Sequence, residues 1–314
     1  MSPSESERRA MTADRTAPVP RSYLYVPGDR PEMLAKAAAR GADALIVDLE
    51  DAVPASCKDR ALALVRAWLA EAAAPGRTPP EVWIRVNPGE QGCMESAVLA
   101  GPAVTGFCLA KCSGADGIAA QDAILTAAEE RHGLAPGAIA LAPLLETASA
   151  VLDVRPIAQA PRVRHLHLGE ADLCAELGIT APDAPAAPDA PDGPGGAALT
   201  AIRTQVLLAS AAAGLLPPVG PVSTDFTDLD ALARSTRALR GLGYRSRACV
   251  HPRQLATVHA AFTPGPEEVA AARALLDRFA EAARDGSGVI TGPDGRMVDE
   301  AVVRAARRVL ATRR

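Results

Sequence analysis

Aromatic residues make up only 3% of this 314-residue chain. So few rings leave little to stack on exposed bases, which argues against single-stranded nucleic acid as a ligand. Positive charge is not in excess either: 33 Lys and Arg stand against 37 Asp and Glu, a net charge of −4. Nucleic acid and anionic membrane surfaces are therefore not expected partners. No apolar stretch approaches the roughly 20 residues that a membrane span needs. Residues 1–20 mix Ser, Glu, Arg, Thr and Pro without the apolar core of a signal peptide, and a disordered tail is expected there. The six cysteines include no C-x-x-C pair, which speaks against structural zinc and for a reducing, cytoplasmic setting. There is no Walker A sequence and no nucleophile-elbow serine or cysteine.

What the chain does have is a series of short apolar runs that end in polar groups. The run from Ala44 to Val47 ends in Asp48, Glu50 and Asp51. Residues 82–84 lead to Arg85 and Asn87, 106–110 to Lys111, 139–145 to Glu146, and 165–169 to Glu170 and Asp172. β-branched runs of this length read as buried strands, in which the acids could not be buried cheaply. Strands that release polar groups at one end, with helices between them, describe the active face of a (β/α)8 TIM barrel. Strands are expected at 22–26, 44–48, 82–86, 105–110, 139–145, 163–168, 218–222 and 247–250. Helices are expected near 31–40, 56–73, 115–131, 148–159, 172–177, 198–213 and 228–241, with a last barrel helix after Pro252. The barrel would span 21–263, interrupted by a proline-rich loop at 181–196. Residues 264–314 would add a helix (266–284), a Gly-rich hairpin (286–296) and a terminal helix (298–312), packed on the barrel or on a neighbouring subunit.

Several acids crowded into one mouth repel one another unless a cation joins them. Oxygen donors with no His or Cys among them suit Mg²⁺, which keeps waters and takes one or two carboxylates directly. Asp172 and Asp51 could equally cap helices. Arg85 at the end of strand three can grip a carboxylate bidentately, stabilise a developing oxyanion, or form a structural ion pair. Arg21 precedes strand one and by strand direction lies at the opposite end. There it would be structural unless a tight local turn brought it to the substrate. His165 and His167 share one strand face but read as packed strand histidines rather than zinc ligands, and His251 as structural. The glycines of 286–292 make a very weak dinucleotide fingerprint.

These residues resemble a known family. Residues 21–32 and the run Asp48-Leu-Glu-Asp-Ala-Val-Pro54 are similar to signature stretches of citrate lyase β-subunit-like proteins, within the HpcH/HpaI-type aldolases. Arg85-Val-Asn-Pro88, Leu145-Glu-Thr147, Ser223-Thr-Asp-Phe226, Ala248-Cys-Val-His-Pro252, Ala261-Phe-Thr-Pro264 and Asp294-Gly-Arg-Met-Val-Asp299 follow in the family's order. The resemblance covers residues 21–312. It implies Mg²⁺ (Mn²⁺ as a substitute) on Glu146 and Asp172, substrate contact by Arg85, and hydrogen bonds from Asp48, Glu50 and Asp51 to metal-bound water. It also implies that Asp299 moves a proton in a neighbouring subunit's site, within a homotrimer or hexamer. Arg21, Arg85, Lys111, Glu170 and Ala171 are the candidate substrate contacts, and Arg30 and Lys36 could meet CoA phosphates. The expected reaction is carbon–carbon cleavage or formation of a 3-hydroxyacyl-CoA, yielding an acyl-CoA and an α-keto acid. A free-acid aldolase and a subunit of a larger lyase complex are the alternatives. One departure stands out: the family reads Gly-Ala/Gly-Glu-Asp after strand six, whereas this chain has Gly169-Glu170-Ala171-Asp172.

Overall fold

The computed structural model describes residues 19–72, 80–179, 194–284, 289–292 and 295–312. Eight parallel strands close into a barrel: β1 (Ser22–Pro27), β2 (Ala44–Asp48), β3 (Glu81–Val86), β4 (Gly106–Leu109), β5 (Ala140–Leu145), β6 (His167–Leu168), β7 (Val219–Gly220) and β8 (Ser246–Cys249). Ten helices follow the strands: α1 (Pro31–Ala37), α2 (Lys58–Ala72), α3 (Gly89–Leu99), α4 (Ala115–His132), α5 (Ala148–Leu152), α6 (Val154–Ala158), α7 (Glu170–Leu177), α8 (Pro194–Ala212), α9 (Leu229–Leu242) and α10 (Leu255–Phe262). Beyond the barrel, α11 (Pro266–Arg284) and α12 (Glu300–Ala311) pack together beside the hairpin of β9 (Ile290–Thr291) and β10 (Met297–Val298). An Arg240–Glu268 ion pair ties α11 to α9. The expected TIM barrel with a C-terminal extension is the architecture found.

Alternation along each strand divides the core in two. Tyr23, Ile46, Trp83, Cys108 and Ala142 fill the barrel interior. Leu24, Leu45, Val47, Ile84, Phe107 and Leu141 face the helices. Each such large side chain contributes about 1.5–3 kcal/mol on burial. Gly106 makes room for the interior layer, because a Cβ there would stand 2.5 Å from the Trp83 ring. All six cysteines are free thiols. Among the described residues no helix is long and apolar enough to cross a membrane.

Four local expectations change. Helix α3 was not expected, since Gly89 and Gly92 weaken its helical signal. A Cβ at Gly92 would lie 1.9 Å from the Asn87 carbonyl oxygen, so the glycine is needed for the turn to close. The helix expected over 148–159 divides at Asp153 into α5 and α6. Pro156 lacks the N–H that would bond residue 152, and its ring crowds that carbonyl. The expected strand 163–168 shrinks to β6, with one isolated bridge between Val163 and Leu141. Likewise β7 covers only Val219 and Gly220, set between Pro218 and Pro221, which have no N–H for a ladder. The tail expected at 1–20 and the loop expected at 181–196 lie outside the described residues, except for 19–20 and 194–196.

Candidate active site

The charges at the strand ends are placed by parity. Asp48 continues the inward series Ala44 and Ile46, Arg85 continues Trp83, and Glu146 continues Ala140 and Ala142. Asp48 and Arg85 are also register partners in the β2–β3 pair. Arg85 grips Asp48 through Nε–Oδ1 at 2.8 Å and Nη2–Oδ2 at 2.6 Å. Its Nη1 edge meets Glu50 at 3.0 Å, and Glu50 in turn takes the Lys111 ammonium at 2.6 Å. The face of Tyr25 lies 5.1 Å below the guanidinium, a cation–π contact. Burial opposes the charge of Arg85, but the hydrogen bonds to Asp48 and the surrounding negative charge outweigh it and raise its pKa. Asp48 and Glu50 are buried yet compensated, as buried acids must be.

Glu146 follows β5, two strands round from Arg85, and is also buried. Its carboxylate accepts the backbone N–H of Lys111, a non-glycine residue held at φ 47°. A left-handed backbone at such a residue carries strain, and here it accompanies a donor aimed into the mouth. Burial above all lifts the Glu146 carboxyl to about 7; the Lys111 N–H opposes the rise, and the charges of Asp172 and Glu50 add to it. Gly169 packs against the same side chain, since a Cβ there would lie 2.6 Å from Glu146 Cβ. Asp172 stands exposed in the first turn of α7, whose N-cap is Gly169 rather than an acid. The implied cation fits this donor set: two carboxylates that repel each other and offer only hard oxygens. Among the described residues no group of three or more His, Cys, Asp or Glu could enclose a metal. A cation on Glu146 and Asp172 would keep water or substrate oxygens in its remaining positions, as Mg²⁺ does.

The structure thus brings together Asp48, Glu50, Asp51, Arg85, Lys111, Glu146 and Asp172. It does not bring Arg21, which correction follows from strand direction. Arg21 lies at the N-terminal end of β1, bonded to Asp43 through Nε at 2.8 Å and to Thr263 at 2.9 Å. The Glu170 carboxylate is taken bidentately by Arg203 at 2.5 and 2.6 Å, so any substrate contact by Glu170 would be made through its backbone, as with exposed Ala171. Asp299 caps α12, accepting the N–H groups of Ala301 and Val302 at 2.9 and 3.2 Å. Within one chain none of these bonds reaches the strand-end acids. Arg30 and Lys36 are exposed. His165 and His167 pack in the barrel interior, Nε2 to Nε2 at 3.0 Å, against Tyr23 and Trp83. Desolvation drives both pKa values down, that of His167 to about 3. Sequence reasoning missed Tyr25, whose parity with Tyr23 was the available signal. It also missed Lys58, which bonds the Leu49 and Glu50 carbonyls and Asn87, and Arg203, for which no signal existed.

Comparison with known proteins settles the family. Residues 21–252 match the model of the HpcH/HpaI aldolase/citrate lyase family. The chain belongs to that family. A citrate lyase subunit beta-like protein of Deinococcus radiodurans is 33% identical over 298 residues, covering 93% of this chain and 96% of the relative. A (3S)-malyl-CoA thioesterase of Cereibacter sphaeroides is 31% identical over 292 residues, 93% of each. Among solved structures, protein CitE of Mycobacterium tuberculosis in complex with magnesium, acetoacetate and coenzyme A superposes with a TM-score of 0.72 at 29% identity. That match covers 95% of this chain and 99% of the other.

Proposed function

We propose that this member of the family is a Mg²⁺-dependent carbon–carbon lyase acting on a 3-hydroxyacyl-CoA of the malyl, citramalyl or citryl type. The observation that carries the proposal is the mutual repulsion of Glu146, just after β5, and Asp172, in the first turn of α7, within the field of the Arg85 guanidinium. It is supported by relatives named for citrate lyase and malyl-CoA chemistry, and by the CitE structure that holds magnesium, acetoacetate and coenzyme A. Glu146 and Asp172 would hold the Mg²⁺, which when bound polarises a substrate oxygen; Mn²⁺ would substitute.

Arg85 is held in place by Asp48 and Glu50, so its positive charge is fixed beside the point where negative charge develops and need not reorient. Fixed charge of this kind typically carries several kcal/mol of barrier lowering. In the cleavage direction the substrate hydroxyl would pass its proton to the carboxylate of Asp299 of a neighbouring chain as the carbon–carbon bond breaks. The electron pair passes to the acyl-CoA enolate, whose α-carbon then takes up a proton. We assign that proton to Asp299 of a neighbouring chain, which makes a homotrimer or hexamer the working assembly. Lys111 balances Glu50 and Asp51 and lines the same entrance as a substrate contact.

Mass spectrometry of a condensation panel tests this. The protein is mixed with acetyl-CoA or propionyl-CoA and with glyoxylate, pyruvate or oxaloacetate, each with Mg²⁺ and with EDTA. A new hydroxyacyl-CoA formed only with Mg²⁺ is the expected result. Silence across the panel with aldol cleavage of free keto acids would replace it with an aldolase. The malyl-CoA thioesterase relative favours one addition: subsequent thioester hydrolysis, which the same assay reads as free CoA.

A further inference from the structure

The barrel is least knit where Asp172 is carried. β6 and β7 share a single register pair, His167 with Val219, and β6 has two residues where β5 has six. Helix α7, which presents Asp172, hangs from that short strand. It buries Leu173 and Cys174, and the Glu176 carboxylate accepts the Ala148 N–H at 3.0 Å. Its first residue, Glu170, is the acid displaced by one position relative to the family's usual loop.

That displacement has a partner. Arg203, in α8, reaches across with Nε to Oε1 at 2.5 Å and Nη2 to Oε2 at 2.6 Å. The pair is mostly shielded, with side-chain exposures of 19% and 12%, and bidentate charge-assisted pairs of this kind fix geometry as well as adding energy. Arg203 is itself anchored, since its backbone carbonyl accepts the hydroxyl of fully buried Tyr244 at 3.0 Å. A continuous chain therefore runs from buried Tyr244, in the turn before β8, through Arg203 and Glu170 to the first turn of α7. Asp172 lies two residues beyond Glu170, and Gly169, one residue before it, stands so close to Glu146 that a side chain there would meet it.

We infer that Arg203 is a positioning residue for the metal site: by gripping Glu170 it fixes α7, and with it Asp172, relative to Glu146. The inference rests on the assignment of Glu146 and Asp172 under the proposed function. The Glu170 carboxylate is then no substrate ligand. Its position, shifted from the family pattern, is what brings it within reach of the arginine.

The test measures Mn²⁺ affinity by electron paramagnetic resonance on the full chain, without substrate, alongside thermal melting. Wild type, Glu146→Ala, Arg203→Ala, Glu170→Gln, Arg203→Lys and the swapped pair Glu170→Arg with Arg203→Glu are compared. Arg203→Ala and Glu170→Gln are each expected to weaken Mn²⁺ about tenfold, the lower end of what residues supporting metal ligands usually command. Their combination should be no worse than either alone, Arg203→Lys should lie between, and the swapped pair should recover within about threefold. Mn²⁺ affinity unchanged or raised in Arg203→Ala and Glu170→Gln, with or without a lower melting temperature, overturns the inference. If Arg203→Ala does not fold, Glu170→Gln alone decides, because it keeps the side-chain volume. Equal Mn²⁺ binding by wild type and Glu146→Ala would instead overturn the site assignment itself.

Discussion

The two sides of the barrel mouth are built differently. On the β2–β5 side, strands of four to six residues run in continuous register, and the functional charges are extensions of that register. Asp48 faces Arg85 because their strands pair residue for residue, and Glu146 points inward because every second residue before it does. On the β6–β8 side the ladder thins to one or two pairs per strand, and placement depends on side-chain ties such as Glu170 with Arg203 and Arg247 with the Pro221 carbonyl. One side takes its geometry from the backbone ladder and the other from side-chain bonds. A charge deleted on the first side leaves its partners fixed and exposed to one another, whereas one deleted on the second lets an element shift.

The largest effect should come from Glu146→Ala. Mg²⁺-dependent turnover is expected to fall by about a thousandfold or more, beyond the cost of losing one oxyanion-stabilising donor. The melting temperature should move little, since a buried carboxylate with a raised pKa is replaced by a neutral group. Full turnover in this variant would remove it from the site. Arg85→Ala comes next. It leaves Asp48 and Glu50 buried without their guanidinium, so unfolding in urea should show a loss of about 3 kcal/mol in addition to lost activity. A stable but inactive Arg85→Ala would mean that the backbone side does not depend on compensated charge.

The interior histidines give a smaller, pH-dependent effect. Their folded pKa values lie below the ordinary 6.5, to about 3 for His167, so the unfolded chain binds protons first. Stability is complete above about pH 6.5 and is lost as pH falls from there toward 3. Between pH 6.5 and 5, His167 alone should account for about 2 kcal/mol of that loss. Urea titrations at both pH values should show a shallower fall in His167→Gln than in wild type; equal slopes would deny the histidines this role. The smallest effect belongs to Arg21→Ala. It removes the guanidinium bonds to Asp43 and Thr263 at the far end of β1 and should cost about 1–2 kcal/mol of stability. Steady-state kinetics should give an unchanged kcat/KM, whereas a raised KM would restore Arg21 as a substrate contact.

The same division governs what could be read from the sequence. Strands β1 to β5 and the inward parity of Asp48, Arg85 and Glu146 were legible, because a buried period-two run needs only its own residues to be recognised. The stretch 163–168 looked equally like a strand, yet its neighbour β7 is confined between prolines and can pair with only part of it. Pairing is a property of two segments, and the limiting one was elsewhere in the chain. Helix α3 was hidden by Gly89 and Gly92, the second of which close packing on Asn87 demands. The Glu170–Arg203 bond joins residues 33 apart on two different helices, and no local pattern announces it.

Calorimetric titration of Mg²⁺ into the full-length protein addresses the central claim most directly, that Glu146 and Asp172 together make the metal site. One Mg²⁺ per chain is expected for wild type and Arg21→Ala, with no saturable binding by Glu146→Ala or Asp172→Ala. Retention of the wild-type isotherm in either carboxylate variant would contradict the account.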